Sequence, residues 1–250
     1  MPVLEAAALV VDPDEQTAGR AAALNDRYGN RPAQDVIALA VEELFAGRVA
    51  TVSSFGSESV VLLHLVAEID PNVPVLFVDT GRLFPETLEY RAMITDRLGL
   101  RDVRTITPSE ERLAALDPVR ALWMSNPDLC CRIRKIEPLS KAIKGFDAWF
   151  TGRKRFQTNA RSALNLFEAD GHRIKVNPLA GWSAADLLAY AEANDLPPHP
   201  LVAKGYPSIG CVPCTDRVLA GEDQRAGRWR GTDKDECGIH FGLESDGSGI

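Results

Sequence analysis

Pro74-Val75-Leu76-Phe77-Val78-Asp79-Thr80-Gly81 carries four apolar residues in a row into a polar turn. Its apolar run has no polar alternation, as expected of a strand buried on both faces in a parallel sheet. It ends in Asp-Thr-Gly, polar residues suited to the carboxyl edge of such a sheet, where open α/β folds bind ligands. Upstream, Val49 to Ser53 reads as a second buried strand, which runs through Ser54-Phe55-Gly56-Ser57-Glu58-Ser59 into a helix from Val60 to Glu68. Downstream, Pro85 to Leu98 reads as an amphipathic helix and Val103 to Thr107 as a strand. Asp147 to Thr151 and Ile174 to Val176 read as further strands, and Ser183 as the N-cap of a helix from Ala184 to Asn194. This alternation predicts an α/β protein with a doubly wound, mostly parallel, Rossmann-like sheet.

Residues 1–47 read mainly as helix: Val36, Ile37, Leu39, Ala40, Val41 and Leu44 recur at helical spacing, and Gly47 is a natural stop. The expected division is a helical segment over 1–47, the α/β domain over 48–219 and a C-terminal tail over 220–250. Between 221 and 236 only Ala226 and Trp229 are apolar, so this part is expected to bury little and to be mobile or to order on a ligand.

The chain has 250 residues, 45% of them hydrophobic and 25% charged, ordinary values for a globular protein. A net charge of −7 argues against nucleic acid or an anionic membrane as a general partner. Basic residues nevertheless cluster at Arg132, Arg134 and Lys135, at Arg153, Lys154, Arg155 and Arg161, and at Arg217, Arg225, Arg228 and Arg230. Local cations in an acidic chain fit a small anionic ligand. No apolar run reaches the roughly 18 to 20 residues that span a bilayer. The apolar stretch from Ala6 to Val11 lacks a positive region before it, so a cytoplasmic protein is expected.

Five cysteines are arranged as an adjacent pair, Cys130-Cys131, a Cys-x-x-Cys pair, Cys211 and Cys214, and a lone Cys237. This pattern suits metal or redox chemistry better than a secreted disulfide framework. Two separated pairs suggest one site assembled by the fold. A tetrathiolate zinc site, an iron–sulfur site and a redox disulfide at Cys211 and Cys214 all remain open on spacing alone.

The Ser53–Ser59 turn has a small, hydroxyl-rich interior, and a strand-to-helix turn of this kind is an anion site. Thr151-Gly152-Arg153-Lys154-Arg155-Phe156-Gln157-Thr158 follows another strand with glycine and clustered cations, suited to phosphate or sulfate oxygens. The first turn resembles the Ser-Gly-Gly-x-Asp-Ser loop of the adenine-nucleotide PP-loop superfamily, with Phe55 for the first Gly and Glu58 for Asp.

Six pieces together resemble the assimilatory adenylyl-sulfate (APS) reductases, sisters of the PAPS reductases. They are Ser-Phe-Gly-Ser-Glu-Ser, Val-Asp-Thr-Gly-Arg-Leu-Phe-Pro-Glu-Thr, Cys-Cys-Arg-Ile-Arg-Lys, Thr-Gly-Arg-Lys-Arg-Phe-Gln-Thr, Gly-Tyr-Pro-Ser-Ile-Gly-Cys-Val-Pro-Cys-Thr and Glu-Cys-Gly-Ile-His, in that order from about residue 35 to 241. The resemblance implies that Cys130, Cys131, Cys211 and Cys214 hold a [4Fe–4S] cluster and that Cys237 is the nucleophile. It implies reduction of APS to sulfite and AMP through a Cys-S-sulfonate, released by thioredoxin or a glutaredoxin-like dithiol.

Substrate contacts are expected at Ser54, Gly56, Ser57, Ser59, Asp79, Lys135, Gly152, Arg153, Arg161, Arg225, Arg228 and His240. The cations Arg225, Arg228 or His240 would favour the Cys237 thiolate, and Lys135 would stand between cluster and sulfate. Trp229 would stack or anchor the tail, while His64 and His199 read as structural. A PAPS or dual-specificity reductase is the nearest alternative. An ATP-using tRNA-thiolating PP-loop enzyme and an iron–sulfur sensor are more distant ones. The sequence leaves a homo-oligomer open.

Overall fold

The computed structural model describes residues 12–232, 234 and 236–240. The helical reading of residues 1–11 and the tail reading of 233, 235 and 241–250 lie outside the described residues.

The chain enters through α1 (Pro13–Tyr28), capped by the Asp12 carboxylate, which accepts the Asp14 N–H at 2.9 Å. Helix α2 (Ala33–Leu39) follows and widens into a π-type turn over Ala40–Leu44. Strand β1 (Val49–Ser53) leads to α3 (Ser59–Ile69), β2 (Val75–Val78), α4 (Pro85–Arg97) and β3 (Val103–Ile106). Four short helices come next: α5 (Glu110–Leu116), α6 (Leu122–Ser125), α7 (Pro127–Cys131) and α8 (Glu137–Ala142). Then come β4 (Ala148–Phe150), β5 (Phe167–Asp170), β6 (Arg173–Val176) and α9 (Ala184–Ala193).

The six strands form one sheet in the order β3-β2-β1-β4-β6-β5. All neighbours are parallel except β5 and β6. Thr51 of β1 pairs with Val75 on one side and Phe150 on the other, so β1 is central. Strand order runs away from β1 in both directions, and the crevice between the carboxyl ends of β1 and β4 is the switch point where such sheets take ligands.

Successive residues feed opposite faces of the sheet. Val49, Val75, Phe77, Ala148 and Phe150 join the larger core cluster, under α2 and α3. Ala50, Leu76, Val78 and Trp149 join a second cluster with Leu139 and Ile143 of the α8 side. This double burial is the physical reason for the apolar run at 75–78.

The sequence reading missed β5, whose pattern of Phe167, Glu168, Ala169 and Asp170 carries no apolar run. As the antiparallel edge of the sheet it would expose backbone groups. The Asn25 side chain of α1 covers that edge, donating to the Phe167 carbonyl at 2.7 Å and accepting its N–H at 3.0 Å.

Candidate active site

Three segments enclose a cavity of about 280 Å³ at the switch point. The first is the turn after β1. Phe55 sits there with φ +48°, a left-handed conformation that non-glycine residues rarely adopt. Its ring is fully buried edge-on to Phe77, and its N–H is accepted by Ser53 Oγ. Packing thus holds a bulky residue in the conformation that a glycine would adopt freely. Ser57 Oγ donates to the Pro207 carbonyl at 2.5 Å, tying the turn to the segment that precedes Cys211.

The second segment follows β4. Lys154 Nζ and Gln157 Nε2 donate to Glu58 at 2.5 and 2.7 Å, closing the two loops across the crevice. Burial pulls the Lys154 ammonium below its usual range while Glu58 opposes that pull. Arg153 is buried against Glu168 and Asn177. Arg161 donates to Gln157 and, at 2.6 Å, to Glu236.

The third segment is the tail. Its backbone is stitched to the Cys-x-x-Cys turn: Asp216 N–H donates to the Gly227 carbonyl at 2.8 Å and Trp229 N–H to the Cys214 carbonyl at 3.2 Å. At Gly227 a Cβ would lie 2.2 Å from the Asp216 carbonyl oxygen, so only glycine permits this approach. Trp229 is buried, with Lys135, Arg228 and Lys234 all within 6.0 Å of its ring centroid. A segment with two apolar residues therefore buries one of them beneath three cations.

Of the expected substrate contacts, Ser54, Gly56, Ser57, Ser59, Lys135, Gly152, Arg153, Arg161, Arg225, Arg228 and His240 all line the cavity, as does Cys237. Asp79 does not; its carboxylate accepts the Gly81 N–H at 2.8 Å and shapes the turn after β2. His240 differs from expectation in charge. Burial, reinforced by Arg153, Arg161, Lys175 and Arg225, drives its pKa well below the usual range, so it is a neutral imidazole rather than a cation. Its ring stacks on Trp149 at 10° between planes. Glu58, Lys154, Gln157 and Glu236 also line the cavity. Sequence reasoning gave no separate role to these four; their pairing across the chain carries no local signal.

Cys130, Cys131, Cys211 and Cys214 line a second, narrower cavity with Trp123, Arg134 and Lys135. Lys135 and Cys211 are common to both cavities. Helix α7 passes into a π-type turn over Arg132–Ile136, which widens the step from Cys131 to Lys135. Burial raises the Cys130 and Cys131 thiols and pushes Cys214 up to about 11. The same burial would depress the Lys135 ammonium, but Coulombic attraction to Cys211, Cys131 and Cys237 in their thiolate form outweighs it and raises the pKa. Arg134 is buried, donating to the Thr80 carbonyl at 2.9 Å and to Asp117 at 2.5 Å. His199 packs as a structural residue between Thr87 and the Leu201 N–H, and His64 meets Tyr190.

Residues 48–217 match the family profile described as phosphoadenosine phosphosulfate reductase domain. The adenosine 5'-phosphosulfate reductase of Chelativorans sp. (strain BNC1) is 53% identical over 224 residues, 89% of this chain and 91% of the relative. That of Mesorhizobium japonicum is 51% identical, over 93% of this chain and 92% of the relative. The Mycobacterium tuberculosis enzyme of the same name is 44% identical, over 72% of each chain. Among solved structures, a PAPS reductase from Candida auris superposes with a TM-score of 0.68 at 29% identity, covering 80% of this chain and 97% of that one.

Proposed function

The chain belongs to the phosphoadenosine phosphosulfate reductase family, and from that premise we propose that it reduces adenosine 5'-phosphosulfate to sulfite and AMP with Cys237 as nucleophile. The observation that carries this reading is the shared wall: Lys135 borders both the four-cysteine cavity and the nucleotide-sized cavity that Cys237 lines. Six cations and three carboxylates line the larger cavity, an excess of positive charge suited to a phosphosulfate.

In the first step the Cys237 thiolate attacks the sulfonyl sulfur. The bond from that sulfur to the bridging oxygen breaks, and its electron pair leaves on AMP. Cys237 then carries an S-sulfonate. A thiolate of an external dithiol, thioredoxin or a glutaredoxin-like protein, attacks the Cys237 sulfur and expels sulfite. Its second thiol closes the donor disulfide and restores Cys237, so the dithiol supplies both electrons. Arg225 and Arg228 balance the sulfonate and phosphate charge, and Lys135 faces the sulfonyl group.

The cysteine set fits a [4Fe–4S] cluster. Cys130, Cys131, Cys211 and Cys214 border one small buried cavity, and a set of four thiolate donors is the one such a cluster takes. Its positive irons would hold the buried thiols as thiolates. Cys130, Cys131, Cys211 and Cys214 would be the ligands, and the group would supply local charge opposite Lys135 rather than reducing electrons. An odd number of cysteines in a Cys-Cys and a Cys-x-x-Cys pair suits a reducing cytoplasm better than a secreted disulfide framework; among the described residues no helix is long and apolar enough to cross a membrane.

The test is Cys237→Ser, assayed for sulfite release from adenosine 5'-phosphosulfate by anaerobically purified protein. Loss of sulfite with retained iron supports the reading; sulfite from the variant overturns it. Paired kinetics with the 3'-phosphorylated nucleotide test the substrate, and a preference for that nucleotide would reverse the choice.

A further inference from the structure

Outside both cavities, a buried charge pair lies on the antiparallel edge hairpin. Lys175 of β6 and Asp170 of β5 are 4% and 3% exposed, and their charged atoms are 3.1 Å apart. Neither lines the nucleotide cavity. The other Asp170 oxygen accepts the Trp149 indole N–H at 3.0 Å. Lys175 Nζ stands 5.5 Å from the Trp149 ring centroid and donates to the His240 carbonyl at 2.9 Å. The His240 ring stacks on the same tryptophan, with centroids 5.9 Å apart.

Only Gly238 and Ile239 separate Cys237 from His240. Gly238 has φ +81° and lies so close to Ile136 that a Cβ would stand 2.9 Å from its Cδ1. Ile239 packs on the core cluster that holds Trp149 and Leu76. A shift of the His240 carbonyl is therefore passed toward Cys237 through two residues that pack on Ile136 and on the core.

From this geometry we propose that Lys175 and Asp170 are positioning residues: they hold the His240 carbonyl and thereby set Cys237 against the nucleotide. The proposal rests on the reading of Cys237 as nucleophile. Burying an ammonium and a carboxylate costs several kcal/mol before their attraction offsets it, and an apolar pair would pack the hairpin as well. What an apolar pair lacks is direction. The ammonium has three donors: one meets Asp170, one meets His240, and its charge also faces Trp149. The Asp170 carboxylate fixes both the ammonium and the indole.

The experiment compares Lys175→Met and the charge-neutral double variant Lys175→Met/Asp170→Asn with the unmodified protein. Single-turnover S-sulfonation of Cys237 is followed by intact mass, beside nucleotide affinity, iron content and amide exchange of the peptide covering 236–240. Both variants are expected to sulfonate about a hundredfold more slowly, the cost of a misplacement near 1 Å. Nucleotide affinity and iron should be retained, and exchange in 236–240 should be faster. A normal sulfonation rate in the double variant overturns the proposal. So does a slowing matched by equal loss of nucleotide affinity with exchange unchanged. Cys237→Ser run in parallel separates the two readings: sulfite from that variant sinks the nucleophile assignment, whereas its silence beside a normal Lys175→Met sinks only the positioning role of Lys175 and Asp170.

Discussion

Arg161 and Glu236 form a buried ion pair at 2.6 Å, joining the loop after β4 to the residue beside Cys237. Arg225 approaches the same Glu236 oxygen at 3.8 Å. The carboxylate therefore fixes two cavity cations and the backbone next to Cys237 in one arrangement. Arg161→Ala and Glu236→Gln should not act independently on S-sulfonation. A double-mutant cycle on single-turnover rates should return a coupling of about 1–3 kcal/mol. Additive effects would remove the pair from the site's organisation.

Phe55 places a large side chain where the superfamily loop carries glycine. Phe55→Gly relieves the positive φ, worth about 1–2 kcal/mol, and deletes a fully buried ring, which costs about 3–5 kcal/mol. The net expectation is a loss of about 2 kcal/mol in urea unfolding. An unchanged or raised midpoint would mean that the ring packs no better than empty space.

Burial lowers the His199 pKa from 6.5 to about 4. Between those values the unfolded chain binds a proton that the folded chain does not. Stability is therefore full above pH 6.5 and falls as pH drops toward 4, by about 3 kcal/mol at most. In His199→Gln the slope of unfolding free energy across this window should flatten. Parallel slopes in the two proteins would assign the acid sensitivity elsewhere.

Lys135 belongs to the walls of both cavities, and the surrounding cysteines, as thiolates, favour its charged form. Lys135→Ala should lower S-sulfonation about a hundredfold or more while iron per chain stays near that of the unmodified protein. Equal losses of rate and iron would make Lys135 a residue that maintains the cysteine site, not one that faces substrate.

The parallel strands were legible because burial on both faces forces unbroken apolar runs, as at Val75–Val78. Strand β5 was not, since an edge strand covered by one asparagine needs no such run. The cavity's glycines, serines and cations were legible as types at strand ends. Their partners were not, because Glu58–Lys154 and Arg161–Glu236 join residues far apart in the chain. Asp79 looked like a ligand contact from its place after a strand, yet that same place lets it cap its own turn. His240 looked cationic by residue type; its burial among cations makes it neutral.

Gly227 touches the Asp216 carbonyl, and at Gly210 a Cβ would fall 2.3 Å from the Arg228 guanidinium. The roof over the pocket and the turn that bears Cys211 and Cys214 are thus keyed to one another, by backbone at Gly227 and by the Arg228 side chain at Gly210. Anyone transplanting this pocket into another scaffold has to move residues 210–216 and 225–229 as a single graft. A hybrid that mixed the two from different parents would need glycine at 227, where backbone meets backbone, and at 210 either glycine or a differently placed Arg228.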